Sequence, residues 1–168
     1  MSSTVVFDGD IDLLPGYAIR RLQQIAVGIF LQEMGELNMT PVQYGTLQVV
    51  AMLPGIDQRT LAGKIALDTS TIGGVVDRLE ARGWLQRRRS TEDRRARLLH
   101  LTPAGQAALA QAMPGMLRTQ QRILAPLPPA QREQFMAMLH TLVTQNNEWS
   151  RAPGENPAAA GRQGSTIA

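Results

Sequence analysis

Apolar residues recur with the 3.6-residue period of an amphipathic helix along much of the chain. In the first half, this pattern predicts helices over about residues 13–34, 40–53, 58–67 and 69–82. The second helix is expected to begin after Thr40, which caps it, with Pro41 at its first position and Gln43 completing a capping box. Gly83 stands where the glycine that ends a helix belongs. Because the third and fourth helices are short and joined by a tight turn, they predict a helix-turn-helix.

The apolar period changes after Gly83. Residues 84–88 and 97–101 have the composition of two short strands, and the polar segment at 89–96 between them is typical of a turn. Two strands around a polar tip, directly after a helix-turn-helix, predict the hairpin called a wing. The expected fold class is therefore mainly α with a small β-hairpin.

Two further helices are predicted after the hairpin. Thr102-Pro103 opens the first, which extends to about Leu124, and Pro114-Gly115 inside it predicts a kink or a break. The last helix covers about residues 130–148. Its apolar stripe consists of Phe135, Leu139, Leu142 and Val143. Residues 1–12 and 149–168 lack an apolar period, and we expect a flexible N-terminal arm and a disordered tail there.

Several classes of protein are excluded by what the composition lacks. The chain has no cysteine, so disulfides and thiolate metal sites are absent. His100 and His140 are its two histidines, and no nucleophile, base and orienting group have the spacing of a catalytic set. We expect no enzyme, no metal and no cofactor. No apolar run reaches the length of a membrane span and no signal peptide begins the chain, so the expected location is the cytoplasm.

Basic residues are concentrated in and around the predicted hairpin. Of the 17 basic residues in the chain, seven fall between positions 82 and 97, and all seven are arginine. They are Arg82, Arg87, Arg88, Arg89, Arg94, Arg95 and Arg97. The planar guanidinium suits phosphates and guanine edges, which favours DNA as a partner. A solvated basic surface, or the amino-acid usage of a GC-rich genome, explains the composition equally well.

The fourth predicted helix has the features of a recognition helix that enters the major groove of DNA. Hydroxyl groups stand at its N-terminus, two glycines allow a close approach of the backbone, and an arginine follows. These residues are Thr69, Ser70, Thr71, Gly73, Gly74 and Arg78. The alternative is that the hydroxyls only cap the helix. On the hairpin, Arg88, Arg89, Arg94 and Arg95 are expected to reach the DNA backbone or a narrow minor groove. Gln58 and Thr60 can donate to a phosphate from the start of the third helix.

A candidate ligand site lies on the first helix. Tyr17, Arg20 and Gln24 share one helical face beside the main apolar stripe. A cation and a few polar groups within an apolar strip suit a small aromatic carboxylate. Gln43 and Tyr44 on the second helix are expected to close the site. The alternative is an exposed or dimer-facing arginine beside a tyrosine whose hydroxyl reaches solvent.

Residues 13–148 resemble the MarR family of winged-helix regulators. Asp93-Arg94-Arg95, followed by Leu101-Thr102 and Gly105, is similar to the wing signature of the family, and residues 68–83 resemble its recognition helix. Residues 15–25 and 40–44 are similar to MarR regulators of nicotinate catabolism.

The resemblance implies a winged-helix DNA-binding lobe at 40–101 and an intertwined homodimer formed by helices at 13–34 and 103–148. It also implies that Asp93 pairs with Arg95 and leaves Arg94 at the wing tip. The ligand pocket of the family lies between the DNA-binding lobe and the dimerisation helices. With the nicotinate regulators as a guide, the expected effector is nicotinate or a hydroxynicotinate.

The expected function is that of a ligand-responsive transcriptional repressor, which binds a pseudo-palindromic operator in double-stranded DNA and releases it on binding a small aromatic carboxylate. A DNA-binding activator or architectural protein without an effector is the alternative. A small-molecule binding protein that does not bind DNA is a third possibility, and the arginine-rich hairpin argues against it.

Overall fold

The structure is a computed structural model, and it describes residues 9–90, 97–150, 152 and 154. Most of these residues are helical. The helices are α1 (Pro15–Met34), α2 (Pro41–Met52), α3 (Gln58–Lys64), α4 (Thr69–Ala81), α5 (Pro103–Leu124) and α6 (Pro129–Gln145). The strands are β1 (Ile56–Asp57), β2 (Leu85–Arg89) and β3 (Arg97–Leu101), and short 3₁₀ turns occupy Ile11–Leu13, Gly35–Leu37 and Asn147–Trp149. The predicted fold class is confirmed. None of the helices described is both long and apolar enough to cross a lipid bilayer.

The sheet has three antiparallel strands in the order β1-β3-β2, one more than the predicted hairpin. The sequence analysis missed β1, in which Ile56 pairs with Leu99 and Asp57 with Leu98. Gly55 precedes it with φ = +86° and donates its N–H to the carbonyl of Leu99 at 2.9 Å. A strand of two residues is too short to show a period of two, so its pairing with β3 defines it.

A hydrophobic core joins the helix-turn-helix to the sheet. Leu47 of α2, Leu61 of α3, Ile72 and Leu79 of α4, and Leu99 of β3 have no solvent-accessible surface. Burying each of these side chains stabilises the fold by about 1.5–3 kcal/mol. This core holds α3, α4 and the sheet as one lobe.

Side chains cap the helices of this lobe and the helix that follows it. Thr40 and Gln43 form the predicted capping box at α2, and Asp57 and Asp68 cap α3 and α4. Thr102 caps α5 by accepting from the N–H of Gly105 at 3.0 Å. These caps satisfy N–H groups that have no partner within the helix.

A close contact joins α5 to the end of the recognition helix. A Cβ at Gly105 would lie 2.0 Å from the carbonyl oxygen of Trp84, so no larger residue fits there without moving the backbone. The N–H of Thr102 donates to this carbonyl oxygen of Trp84 at 3.1 Å. The hydroxyl of Thr102 donates to the carbonyl of Gly83. Gly83 itself has φ = +70°, a conformation that favours glycine. The Leu-Thr and Gly of the wing signature therefore have a structural role.

Helix α5 is continuous from Pro103 to Leu124, so Pro114-Gly115 does not break it, and the alternative, a kink at this pair, stays a prediction. A Cβ at Gly115 would lie 2.6 Å from the carbonyl oxygen of Glu33, which places the backbones of α1 and α5 in close contact. The carboxylate of Glu33 accepts from Arg118 at 2.6 Å and from Arg122 at 2.7 Å. These hydrogen bonds hold the pKa of Glu33 below its ordinary value. Gly115 and the ion pairs join α5 to α1.

Only parts of the predicted arm and tail are described. Residues 1–8, 151, 153 and 155–168 lie outside the described residues, where the flexible arm and disordered tail stay predictions. Asp10 caps the turn at Ile11–Leu13. In the tail, the N–H of Gly154 donates to the side chain of Asn147 at 3.0 Å.

We predict that Gly115→Ala lowers the free energy of unfolding by about 1–3 kcal/mol, because the new Cβ forces α1 and α5 apart. Gly45→Ala in α2 is the matched control. There the new Cβ meets no atom within 4 Å, so we expect a gain of about 0.5–1 kcal/mol from helix propensity. Urea denaturation of both variants measures the difference. A Gly115→Ala protein as stable as the wild type contradicts the close contact.

Candidate DNA-binding face and ligand cavity

The N-terminus of the recognition helix α4 is occupied by its own cap. The carboxylate of Asp68 accepts from the N–H of Thr71 at 2.7 Å, and the hydroxyls of Ser70 and Thr71 donate to it as well. These hydrogen bonds hold the pKa of Asp68 well below its ordinary value. Two of the three hydroxyls predicted to contact DNA therefore donate within the protein, and their oxygens stay available as acceptors. Thr69 is exposed.

The N-terminus of α3 is arranged in the same way. Asp57 accepts from the N–H groups of Arg59 and Thr60, both at 2.9 Å, and from the hydroxyl of Thr60 at 2.6 Å. The hydrogen bonds from Thr60 lower the pKa of Asp57. The hydroxyl proton of Thr60 is therefore engaged, although the residue is exposed on the predicted DNA side.

Of the two glycines of α4, Gly73 makes room for a neighbouring polar side chain, whereas Gly74 leaves only ordinary van der Waals contact. A Cβ at Gly73 would lie 3.3 Å from the amide nitrogen of Gln58, and a Cβ at Gly74 would lie 3.5 Å from a guanidinium nitrogen of Arg78. Glycine destabilises a helix interior by about 1 kcal/mol relative to alanine. At Gly73 the loss of helix stability is linked to the packing of the Gln58 side chain, which lies where a larger residue would place its Cβ.

Two members of the arginine cluster, Arg82 and Arg87, have guanidinium groups that are engaged by described groups of the protein, a division that was not predicted from the sequence. The guanidinium of Arg82 lies 3.6 Å from the ring centre of Trp84 and donates to the carbonyls of Leu37 and Asn38 at 2.6 and 3.0 Å. Arg87 forms ion pairs with carboxylates of α4 and is half-buried. The period of two in β2 was the available signal, because it places Arg87 on the same face as the buried Leu85.

The exposed arginines lie towards the end of the wing. Arg88 and Arg89 end β2, Arg97 begins β3, and all three are exposed. Arg94 and Arg95, and with them the predicted pairing of Asp93, lie outside the described residues. Their contact with DNA and their place at the wing tip stay predictions.

A cavity of about 490 Å³ lies between α2, the sheet and the first half of α5. This volume is within the range of small-molecule sites. It is lined by Gln48, Val50, Ala51, Pro54, Arg88, His100, Leu101, Gln106, Leu109, Ala110 and Met113. The sequence analysis missed this site, because its walls come from four elements that are distant in the sequence.

The polar groups of the cavity wall have unused hydrogen-bonding capacity. The side-chain oxygen of Gln48 is buried and has no hydrogen-bond partner among the residues that the structure describes. Within the described parts of the chain, no hydrogen bond or ion pair engages the guanidinium of Arg88. A buried polar group without a partner costs about 1–3 kcal/mol, so a ligand that bonds to it gains affinity. The cavity therefore offers the cation of Arg88 and the acceptor of Gln48 within walls that are mostly apolar, with His100 and Gln106 as their further polar side chains.

The predicted ligand residues of α1 contact one another on an exposed surface. The guanidinium of Arg20 lies 4.9 Å from the ring centre of Tyr17 and donates to the side chain of Gln24 at 3.2 Å. Both Arg20 and Gln24 are exposed. The three side chains are brought together as the helical period predicted, but none of them lines the cavity between α2, the sheet and α5.

The structure does not bring Gln43 and Tyr44 to this strip within one chain. Gln43 accepts from the N–H of Thr40 at 3.0 Å as part of the cap. The ring of Tyr44 packs edge-on against Phe30 at 6.1 Å, and burial raises its pKa. Because Phe30 and Tyr17 are thirteen positions apart on α1, about 20 Å separate them along the helix axis. The hydroxyl of Tyr44 instead contacts the sulfur of Met113, a wall residue of the cavity, at 3.8 Å.

Comparison with known proteins gives three consistent results. The model of the MarR family matches residues 39–96, which include α2, the helix-turn-helix and most of the hairpin. A putative transcriptional regulatory protein for the hcr operon of Thauera aromatica is 37% identical over 134 residues, which cover 79% of this chain and 81% of that protein.

Two solved structures share both the fold and part of the sequence. The transcriptional regulator PcaV from Streptomyces coelicolor, in complex with its natural ligand, has 33% identity and a TM-score of 0.76, covering 82% of this chain and 97% of PcaV. BpsR from Bordetella bronchiseptica, whose DNA binding is regulated by 6-hydroxynicotinic acid, has 27% identity and a TM-score of 0.75, covering 81% of this chain and 97% of BpsR.

These relatives are transcriptional regulators, not enzymes. Both the sequence identity and the shared winged-helix structure extend over most of the chain, beyond the segment that the family model matches. The chain therefore belongs to the MarR family of transcriptional regulators.

Proposed function

We propose that this protein is a cytoplasmic repressor that binds operator DNA as a homodimer and releases it when a small aromatic carboxylate binds. The cavity between α2, the sheet and α5 is the observation that carries this proposal. Arg88 of β2 lines the cavity, and the next residue along the strand, Arg89, is exposed towards the wing. A ligand that displaces β2 therefore changes the position of DNA-contacting groups, and release needs only a different ligand affinity in the two states.

The chemistry of the cavity supports an anionic ring as the effector. Arg88 provides a cation for a carboxylate, and the apolar walls suit a flat ring. The unpartnered oxygen of Gln48 needs a donor, which the ring N–H or hydroxyl of a hydroxynicotinate supplies and unsubstituted nicotinate lacks. The regulation of BpsR by 6-hydroxynicotinic acid supports the same class of ligand. The strip of Tyr17, Arg20 and Gln24 is a second candidate location.

The DNA-binding surface of the proposal combines α3, α4 and the wing. Gln58 and Thr60 lie at the start of α3, and the exposed Arg78 lies on α4. The wing contributes Arg88 and Arg89, together with Arg94 and Arg95 from outside the described residues. A recognition helix in the major groove and a wing along the backbone make these residues the contacts to an operator half-site.

An exposed apolar face supports the homodimer. Helix α6 has no buried residue, although its Leu142 and Val143 are apolar. A groove of about 300 Å³ between α1, α5 and α6 is lined by Ile19, Leu22, Phe135 and Leu139, among others. Apolar surface of this extent is rarely exposed on a soluble monomer, and a second copy that packs α1, α5 and α6 against these residues covers it.

Operator binding is predicted to depend steeply on salt. A dimer that makes about 6–10 phosphate contacts has a slope of log affinity against log salt of several units. Arg89→Ala removes one expected contact per protomer and lowers the slope by about 1–2 units. Arg21→Ala, an exposed arginine of α1, leaves it unchanged. Fluorescence anisotropy measures the slopes, and a wild-type slope near zero argues against operator binding.

Effector binding is predicted to require Arg88. By calorimetry without DNA, Arg88→Ala weakens the binding of 6-hydroxynicotinate by about 30-fold or more, because the carboxylate loses its cation. Gln48→Met weakens the hydroxylated acid and leaves nicotinate nearly unchanged. Arg89→Ala, the adjacent residue of β2, is the control and binds like the wild type.

Other results of this calorimetry would place the ligand site elsewhere or show that the protein has no such effector. If Arg20→Ala loses binding while Arg88→Ala retains it, the site is the strip on α1. If neither nicotinate, hydroxynicotinates nor benzoates bind the wild type at millimolar concentration, the effector proposal fails. A protein that binds DNA under that condition is the effector-independent activator or architectural protein.

The full-length chain is predicted to be a dimer in light scattering. Truncation after Ala125 removes α6 and abolishes the dimer, and Leu142→Asp weakens it by placing a charge in the apolar face. Thr144→Asp is the control, because Thr144 lies about 200° around the helix from Leu142. A folded, monodisperse monomer of the wild type contradicts the homodimer.

A further inference from the structure

We infer that Arg87 is a positioning residue for DNA recognition, which pairs with two carboxylates of the recognition helix and holds the amide of Gln58 across that helix. The inference rests on the proposed operator binding. Arg87 belongs to the arginine cluster by sequence, but its contacts are internal, so it acts on DNA through Gln58 and through the charge of α4.

The contacts of Arg87 join three elements of the DNA-binding lobe. One guanidinium nitrogen donates to Glu80 of α4, and the other donates to Asp77 of α4 at 2.6 Å and to the side-chain oxygen of Gln58 of α3 at 3.5 Å. The backbone N–H of Arg87 donates to Glu80 at 3.1 Å. The side chain is 23% exposed. Three of the five N–H groups of the guanidinium are therefore directed at α3 and α4.

The carboxylates make this contact important for an anionic partner. Asp77 and Glu80 lie on the helix that the proposed function places in the major groove, and the side chain of Asp77 is 68% exposed. Like charges repel, so two unpaired carboxylates there oppose the approach of DNA. The single positive charge of Arg87 halves the net charge of this group. Asp77 and Glu80 in turn orient the guanidinium fork.

The contact with Gln58 determines which end of its amide is available. The side-chain oxygen is an acceptor and the NH₂ group a donor, and Arg87 engages the oxygen. The nitrogen then lies over Gly73, 3.3 Å from where a Cβ would stand. Gln58 is thus held as a donor on the recognition helix, where its partners are the acceptor groups of DNA: a base edge or a phosphate oxygen.

The test is a double-mutant cycle between Arg87 and Gln58. Two duplexes are used: one selected by the wild type from a random DNA library, and one with the same bases shuffled. Arg87→Ala and Gln58→Ala each weaken binding to the selected duplex by about tenfold, and the double variant is weaker than Arg87→Ala by less than twofold. The salt slope of Arg87→Ala differs from the wild-type value by less than one unit, since no cation that contacts a phosphate is lost.

Two further variants separate positioning from a structural role. Arg87→Lys keeps the charge but not the planar fork, so it restores thermal stability and the part of the affinity that repulsion by the carboxylates removes, and it leaves in place the part of the loss that depends on Gln58. If Arg87→Ala does not fold, Arg87→Lys takes its place in the cycle. Arg82→Lys is the matched control, because Arg82 contacts Trp84 and backbone carbonyls instead of Gln58. It leaves the effect of Gln58→Ala at its wild-type size.

Each contrary outcome overturns a distinct statement. A salt slope that falls by one unit or more in Arg87→Ala, as expected for Arg89→Ala, makes Arg87 a phosphate contact and refutes the inference. Effects of Arg87 and Gln58 that multiply independently refute it as well. If the wild type selects no duplex from the library, operator binding itself fails. The affinities of Gln58→Ala for the two duplexes identify the acceptor that Gln58 contacts. Equal losses of affinity on the selected and the shuffled duplex indicate a phosphate, and a loss confined to the selected duplex indicates a base edge.

Discussion

The close approach of α5 to the junction of α4 and β2 is the contact on which the organisation of this protein depends. Gly105 admits the carbonyl of Trp84 where any Cβ would collide, and Thr102 bonds to both Gly83 and Trp84. The end of the recognition helix, the start of the wing and the start of the long helix therefore meet at one point. Because backbone atoms form the contact, side-chain rotation cannot relax it, and a displacement of α5 is transmitted to α4 and β2.

The arginine-rich segment has two functions that the charge alone does not distinguish. Arg82 and Arg87 are engaged by Trp84, carbonyl groups and carboxylates, and they hold α4 against the rest of the lobe. Arg88 and Arg89 are exposed and stand near the cavity and the wing. Cations that are hydrogen-bonded within the protein fix its geometry, whereas cations that contact phosphates release counterions from DNA. The position of each arginine in the strand and its nearest acceptor decide which function it has.

The features that follow from short stretches of sequence were predictable, and those that join distant stretches were not. Thr40 with Gln43, Thr102 with Pro103, and Gly83 marked helix ends correctly, because capping is a local interaction. Strand β1 was missed because two residues carry no period. The ligand site shows the same contrast between a local pattern, which the sequence contains, and contacts between distant elements, which it does not.

On α1, the helical period correctly placed Arg20 beside Tyr17 and Gln24, but it contained no information about which surfaces face a cavity. The capping box that the sequence predicts occupies the amide oxygen of Gln43, which is therefore not available to a ligand. The cavity brings α2, the sheet and α5 together, so only the folded chain reveals that Gln48 and Arg88 share one space.

The proposed mechanism depends on the unequal anchoring of α5. Its second half is fixed to α1 by the contact at Gly115 and by the ion pairs of Arg118 and Arg122 with Glu33. Its first half forms a wall of the cavity, from Gln106 to Met113. A ligand that enters the cavity therefore meets a wall held firmly at one end. The opposing walls, α2 and the sheet, belong to the DNA-binding lobe, so expansion of the cavity moves that lobe relative to α1. In a dimer held by α1, α5 and α6, such a movement changes the distance between the two recognition helices, which must match one turn of DNA.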